Sequence, residues 1–202
     1  MKTIILTLTI ILSMMNINAQ ETRSADEASG LPVGAKAPDF KAIDADGKQF
    51  ELAQALKKGP VVMIFYRGHW CPVCNKHLRV IQDSLQLIQD RGATVIAVSP
   101  QNPEYLNKME EKSGAKFRLL YDEGYAIADA YDVTFTPEKM VLIKYNTFLN
   151  AKLKESQSDD SQRLPIPATY IIGQDGVIAW RQFDPNYKNR SSVQQILENI
   201  PE

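Results

Sequence analysis

The sequence predicts an α/β protein: a central mixed sheet flanked by helices, with an N-terminal extension ahead of it and a helical insertion within it. Three observations carry this. Val61 to Tyr66 is an unbroken apolar run of strand length, the pattern of a strand buried on both faces. Cys74, Leu78, Ile81, Leu85 and Ile88 then recur at spacings of three and four, which predicts a helix starting at Pro72 and stopped by Gly92. Further apolar runs alternate with helical segments until Gln174-Asp175-Gly176 signals a hairpin near the end.

Taken in order, the chain opens with Lys2 and a run of Ile, Leu, Met and Thr from Ile4 to Met15, followed by Asn16, Ile17, Asn18 and Ala19. This is a signal-peptide pattern, residues 1–19, with cleavage expected after Ala19. The run is shorter than the ~20 helical residues that span a hydrocarbon core, so no stable membrane anchor is expected. No cysteine lies near the cleavage site to accept a lipid. The mature chain is expected outside the cytoplasm, periplasmic or secreted. Residues 20–31 are small, polar and without period, and are expected to form a flexible leader to a domain over 32–202.

Asp44-Ala45-Asp46-Gly47 predicts an early hairpin or loop. After the Val61–Tyr66 strand and the Pro72 helix come a buried strand over 94–99, a polar helix over 104–112 and a strand over 117–121. A short helix over 126–131, a longer helical insertion over 137–155 and a polar loop over 156–162 follow. Strands over 168–172 and 177–183 flank the hairpin turn, and a helix over 191–200 closes the chain.

Composition excludes several functions. The 202 residues are 44% apolar and 23% charged, as in ordinary globular domains. A net charge of −1 with both signs interspersed leaves no basic field for nucleic acid or an anionic membrane surface.

The chemistry points to Cys71 and Cys74, the only cysteines, separated by Pro72 and Val73. A bridge closing so small a loop restricts the unfolded chain little, so stability is a weak reason for the pair and redox chemistry a stronger one. The pair lies between a buried strand and a helix N-terminus, where unpaired N–H groups and the helix dipole favour the Cys71 thiolate. Arg67, and less directly Lys76, would add positive charge. Cys71 is then the expected attacker and Cys74, one turn on, the resolver. A zinc site would need both histidines or carboxylates beside the single pair, so no metal and no cofactor are expected. Trp70 reads as a packing and substrate platform, and His69 and His77 as surface or helix-face residues, His69 being the one placed to shape thiolate protonation.

Trp70-Cys71-Pro72-Val73-Cys74 between strand and helix, with the later Pro167-Ala168-Thr169-Tyr170-Ile171-Ile172, resembles the thioredoxin superfamily. That resemblance implies the thioredoxin fold, with Pro167 as a cis-proline facing the cysteines. Gly34-Ala35-Lys36-Ala37-Pro38-Asp39-Phe40, Phe65-Tyr66-Arg67-Gly68, Ala97-Val98-Ser99-Pro100 and Asp175-Gly176 more narrowly resemble the alkyl hydroperoxide reductase/thiol-specific antioxidant family, in its peroxiredoxin-like branch. It implies thiol-dependent reduction of hydrogen peroxide or organic hydroperoxides, a Cys71–Cys74 disulfide and a thioredoxin-like electron donor. Peroxiredoxins carry Thr or Ser three residues before the peroxidatic cysteine and Pro seven before it. Gly68 and Ile64 stand there, and Pro167 stands where the peroxide-binding arginine falls. Arg67 is the residue that could substitute electrostatically. The alternative activity is thiol–disulfide exchange on protein disulfides, and a third is copper binding through the thiolates, for which no distal histidine is available.

Overall fold

A computed structural model describes residues 23–202; the expected signal segment lies outside the described residues. The main sheet has seven strands: β1 (Lys41–Asp44), β2 (Gln49–Glu51), β3 (Val61–Phe65), β4 (Thr94–Ser99) and β5 (Arg118–Tyr121), then β8 (Ala168–Ile172) and β9 (Ile178–Phe183). Between these groups lies a separate ribbon of β6 (Thr134–Phe135) and β7 (Leu164–Pro165). The order across the main sheet is β2-β1-β5-β4-β3-β8-β9. β3, β4 and β5 run parallel, while β1 and β8 join this trio antiparallel at either side, so the sheet is mixed as expected.

Every residue of β3 is buried, because helices cover both sheet faces. Val62 and Ile64 point into one core with Leu78 and Ile81 of α2 (Pro72–Asp83) and Leu106 and Met109 of α4 (Pro103–Ser113). Val61, Met63 and Phe65 point into the other, against Leu52 and Leu56 of α1 (Leu52–Leu56) and Ile127 and Ala128 of α5 (Ala126–Ala130). Each such side chain contributes roughly 1.5–3 kcal/mol on leaving water, and the alternation on one strand fastens both layers to it.

The helix expected from Pro72 to Gly92 is two helices. α2 is capped by Ser84, whose φ of −111° leaves the helical range, and α3 (Leu85–Asp90) follows it. Ile81 and Ile88 are fully buried in the same core, so the apolar period runs through the joint and hides it. The expected insertion is likewise split, into α6 (Lys139–Phe148) and α7 (Leu153–Ser156). The chain after α7 is no free loop: Ser156 and Gln157 are buried, and backbone bonds from Asn102 to Ser156 and from Ser158 to Pro100 clamp it to the end of β4.

The leader is also not free over its described part. Arg23 pairs with Asp132 at 2.6 Å, Ser29 donates to the same carboxylate, and Leu31 N–H donates to Tyr170 Oη. Its polar residues read as disorder because their partners lie over a hundred positions away. Pro167 corrects a further expectation: among the described residues every peptide bond is trans. Leu164–Pro165 pairs in extended form with β6, and Ile166 N–H donates to Val133 O, so the chain enters β8 already extended and without reversal. α8 (Val193–Asn199) closes the fold, capped by Ser192, which accepts from Gln195 N–H. No helix among the described residues is long and apolar enough to cross a membrane.

Candidate redox site

β3 delivers the chain into the segment from Tyr66 to Trp70, and α2 begins directly after it. Cys71 is the N-cap of α2 and Pro72 takes its first position, where a missing N–H costs nothing. In place of the usual capping oxygen, Cys71 Sγ accepts from Cys74 N–H at 3.3 Å. Arg67 Nη2 donates to the same sulfur at 3.2 Å. Cys74, one turn along, turns its sulfur toward a second guanidinium: Arg190, in the loop before α8, has Nη2 3.6 Å from Cys74 Sγ. Both cysteines are free thiols, 0% and 1% exposed.

Electrostatics follow from that arrangement. Burial opposes ionisation of either thiol, and Arg67 and Arg190 oppose burial. The sulfurs are coupled: for Cys71, burial, then the Cys74 hydrogen bond and charge, push the thiol far up. For Cys74, burial also works upward, but the Cys71 hydrogen bond, Arg190 and Arg67 outweigh it and bring the thiol down to about 5. The two thiols titrate as one coupled pair, and the guanidiniums of Arg67 and Arg190 favour negative charge on it. The direct donors, a helix-terminal N–H and a guanidinium, converge on Cys71, so the charge is not confined to one sulfur.

Arg67 is itself enclosed. Its guanidinium carbon lies 3.8 Å from the Tyr187 ring centroid and 5.2 Å from those of Trp70 and Tyr145. Nη1 donates to Tyr145 Oη at 2.8 Å. Such stacking holds a planar cation at little cost in hydration. The helical insertion thus reaches the site through Tyr145 of α6, and the loop after β9 through Tyr187 and Arg190.

The expected residues divide accordingly. Cys71, Cys74 and Arg67 come together, and Trp70 joins them as a packing wall, 4% exposed with its ring 4.8 Å from that of Tyr145. Lys76 does not: five positions past Cys71 it lies on the solvent face of α2, and Arg190 takes the place of second cation. Pro167 lies in a small crevice with His77, Arg190 and Ser191, beside the guanidinium that faces Cys74. Both histidines are buried. His69 packs against Tyr105, its backbone N–H donates to Gln101 Oε1 at 2.7 Å, and its ring faces the Gln101 amide. His77 Nε2 donates to Ser191 O at 3.2 Å. Burial lowers both to about 4, helped by Lys112 at His69 and by Arg190 at His77.

Gly68 has a structural reason. Its φ is +150°, and a Cβ there would stand 2.6 Å from Trp70 Nε1 and 2.8 Å from Gln101 Cδ. No hydroxyl-bearing side chain fits. Tyr145, Tyr187 and Arg190 were not legible as site residues: Arg190 is 116 positions from Cys74 and Tyr145 is 78 from Arg67, and no spacing rule links them. The one available signal was an aromatic and a basic residue in a loop with no core role of its own, Tyr187 and Arg190. Among the described residues no group of three or more His, Cys, Asp or Glu is arranged to hold a metal.

The solved structure of peroxidoxin BcpB from Mycobacterium tuberculosis superposes with a TM-score of 0.64 over 84% of this chain and 96% of its own, at 18% identity, which shows the peroxiredoxin form of the thioredoxin fold. Among curated proteins, the thiol-disulfide oxidoreductase ResA of Geobacillus thermodenitrificans is 27% identical over 130 residues, 64% of this chain and 71% of the relative. Chloroplastic peroxiredoxin Q of Oryza sativa subsp. japonica is 26% identical over 170 residues, 83% of this chain and 67% of the relative. Both kinds of thiol oxidoreductase are therefore among its relatives. Residues 33–181, most of the described domain, match the AhpC/TSA family, and the chain belongs to it.

Proposed function

We propose that this chain is an exported thiol peroxidase of the peroxiredoxin-like kind, reducing hydrogen peroxide or organic hydroperoxides through Cys71. The observation that carries the reading is Cys71 Sγ held between Arg67 Nη2 at 3.2 Å and Cys74 N–H at 3.3 Å. A thiolate so placed attacks the terminal peroxide oxygen, the O–O bond breaks, and the second oxygen takes a proton and leaves as water, or as the alcohol of an organic hydroperoxide, with Cys71 left as a sulfenic acid. Cys74 then displaces that hydroxyl as water and forms the Cys71–Cys74 disulfide. A dithiol donor of the thioredoxin type reopens it, taking up the disulfide and returning two electrons and two protons. Burial of both sulfurs favours a two-oxygen electrophile over a folded protein, since a peroxide needs far less opening to enter. Export rests on the apolar run and Ala19 in the sequence.

A second reading is thiol–disulfide exchange on protein disulfides. Gly68 favours it, because its positive φ and filled surroundings rule out the hydroxyl that peroxiredoxins hold three residues before the reactive cysteine. One experiment separates the two. Anaerobically reduced protein is mixed with hydrogen peroxide, and separately with a disulfide substrate, while oxidation of Cys71 and Cys74 is followed by mass. Faster oxidation by peroxide is expected; a large preference for the disulfide overturns the peroxidase reading in favour of exchange.

A further inference from the structure

Two guanidiniums flank the cysteine pair, and neither has a carboxylate. Arg67 is 2% exposed and Arg190 is partly buried. Among the described residues no ion pair with Asp or Glu includes either of them. The Nε of each is buried without a hydrogen-bond partner. Buried cations of this kind need an anion nearby. The other groups facing them are the His77 imidazole on α2, the Tyr145 hydroxyl on α6 and the Tyr187 ring, and none is a carboxylate. The sulfurs are the remaining source of negative charge.

We propose that Arg190 is a positioning residue that sets the redox poise of the pair, stabilising from the Cys74 side the negative charge that the two reduced sulfurs share and so favouring the dithiol over the disulfide. This rests on the reading of Cys71 and Cys74 as a redox pair and does not depend on which electrophile oxidises them. The asymmetry is one of charge. In the reduced state one thiolate lies between two guanidiniums; in the disulfide both sulfurs are neutral and the guanidiniums face each other without it. Oxidation joins the two sulfurs, gives two electrons to the oxidant and releases the remaining thiol proton. Whatever stabilises the thiolate resists that step and makes the disulfide the stronger oxidant.

The test is equilibrium of the full-length protein with glutathione and glutathione disulfide, the disulfide fraction being read by mass after acid trapping. Arg190→Gln is expected to shift the equilibrium toward disulfide at least tenfold, about 30 mV toward more negative potential. Arg190→Lys, which keeps the charge, is expected to recover most of the shift. A merely structural role for Arg190 would lower stability in both variants without moving the constant. An unchanged constant in Arg190→Gln, or a shift toward dithiol, overturns the inference. Should that variant not fold, the wild type decides: thiolate ultraviolet absorbance near neutral pH is expected to show one thiolate per reduced chain, and none overturns the inference. If the wild type forms no Cys71–Cys74 disulfide at all, the redox-pair reading is what has failed.

Discussion

Tyr145 Oη accepts a hydrogen bond from Arg67 Nη1 at 2.8 Å, so a residue of α6 in the insertion fixes the cation that faces Cys71. The same ring packs 4.8 Å from Trp70 and is itself only 8% exposed. One side chain therefore both orients the guanidinium and closes the site from above. Tyr145→Phe keeps the ring and removes one hydrogen bond, and is expected to cost about 1 kcal/mol in urea unfolding. Tyr145→Ala leaves a cavity beside Trp70 and is expected to cost about 3 kcal/mol. It should also raise the alkylation rate of the cysteines at least tenfold, whereas Tyr145→Phe should change that rate little. Equal alkylation rates in both variants would show that Tyr145 does not close the site.

Gly68 yields a prediction opposite to what the family pattern invites. Peroxiredoxins have Thr or Ser at this position, so Gly68→Thr looks like a repair. The backbone φ of +150° and the Trp70 and Gln101 atoms under 3 Å from a Cβ make it a clash instead. Strain and overpacking together are expected to cost at least about 2 kcal/mol, with peroxide turnover lowered. A stable Gly68→Thr variant with higher turnover would contradict this account of the segment.

These two residues also mark how far the sequence was readable. The β3 strand and the α2 helix were legible because burial on two sheet faces and on one helix face writes its period directly into residues 61–88. The cysteine motif was legible because its position between those periods fixes it at a helix start. Gly68 was visible as a departure from the family pattern, but its cause lies in Gln101, which reaches back from the end of β4. Arg190, Tyr187 and Tyr145 were invisible for a related reason. Each reaches the site from a distant segment by a side-chain contact that leaves no periodic trace, whereas Lys76, near in sequence, lies on the solvent face of α2.

Acid should weaken the fold through the two histidines. His69 and His77 stand at about 4 rather than 6.5, through burial first and then the cations Lys112 and Arg190 respectively. As pH falls from about 6.5 toward about 4, the unfolded chain binds protons that the native histidines refuse, so the histidine contribution to stability is lost through that window and is constant outside it. Asp122, raised to about 6 chiefly by burial, acts oppositely, since the native carboxyl keeps its proton where the unfolded one has lost it. Comparing wild type with His77→Gln cancels the Asp122 contribution. Gln can still donate to Ser191 O, and the variant is expected to lose less stability across this window by on the order of 1–2 kcal/mol. Denaturant unfolding at both ends of the window measures it, and parallel curves for the two proteins would mean that His77 is not held neutral.

The division of labour between the cysteines gives the last expectation. Cys71 Sγ has the helix-terminal N–H and Arg67 as donors, while Cys74 Sγ has Arg190. Attack by Cys71 and resolution by Cys74 accordingly predict that Cys74→Ser retains the first step and accumulates its product. With peroxide that product is a sulfenic acid on Cys71, trapped by dimedone; with a disulfide substrate it is a stable mixed disulfide on Cys71. Cys71→Ser should yield neither. The coupling of the two thiols makes this a sharp test, because the charge balance also permits Cys74 to hold the thiolate. In Cys74→Ser the Cys71 sulfur keeps Arg67 and the helix-terminal backbone without a competing thiol, so the Cys71 thiolate is expected to form at lower pH than in the wild-type pair. Adducts found on Cys74 in Cys71→Ser, and none on Cys71 in Cys74→Ser, would reverse the roles of the two residues.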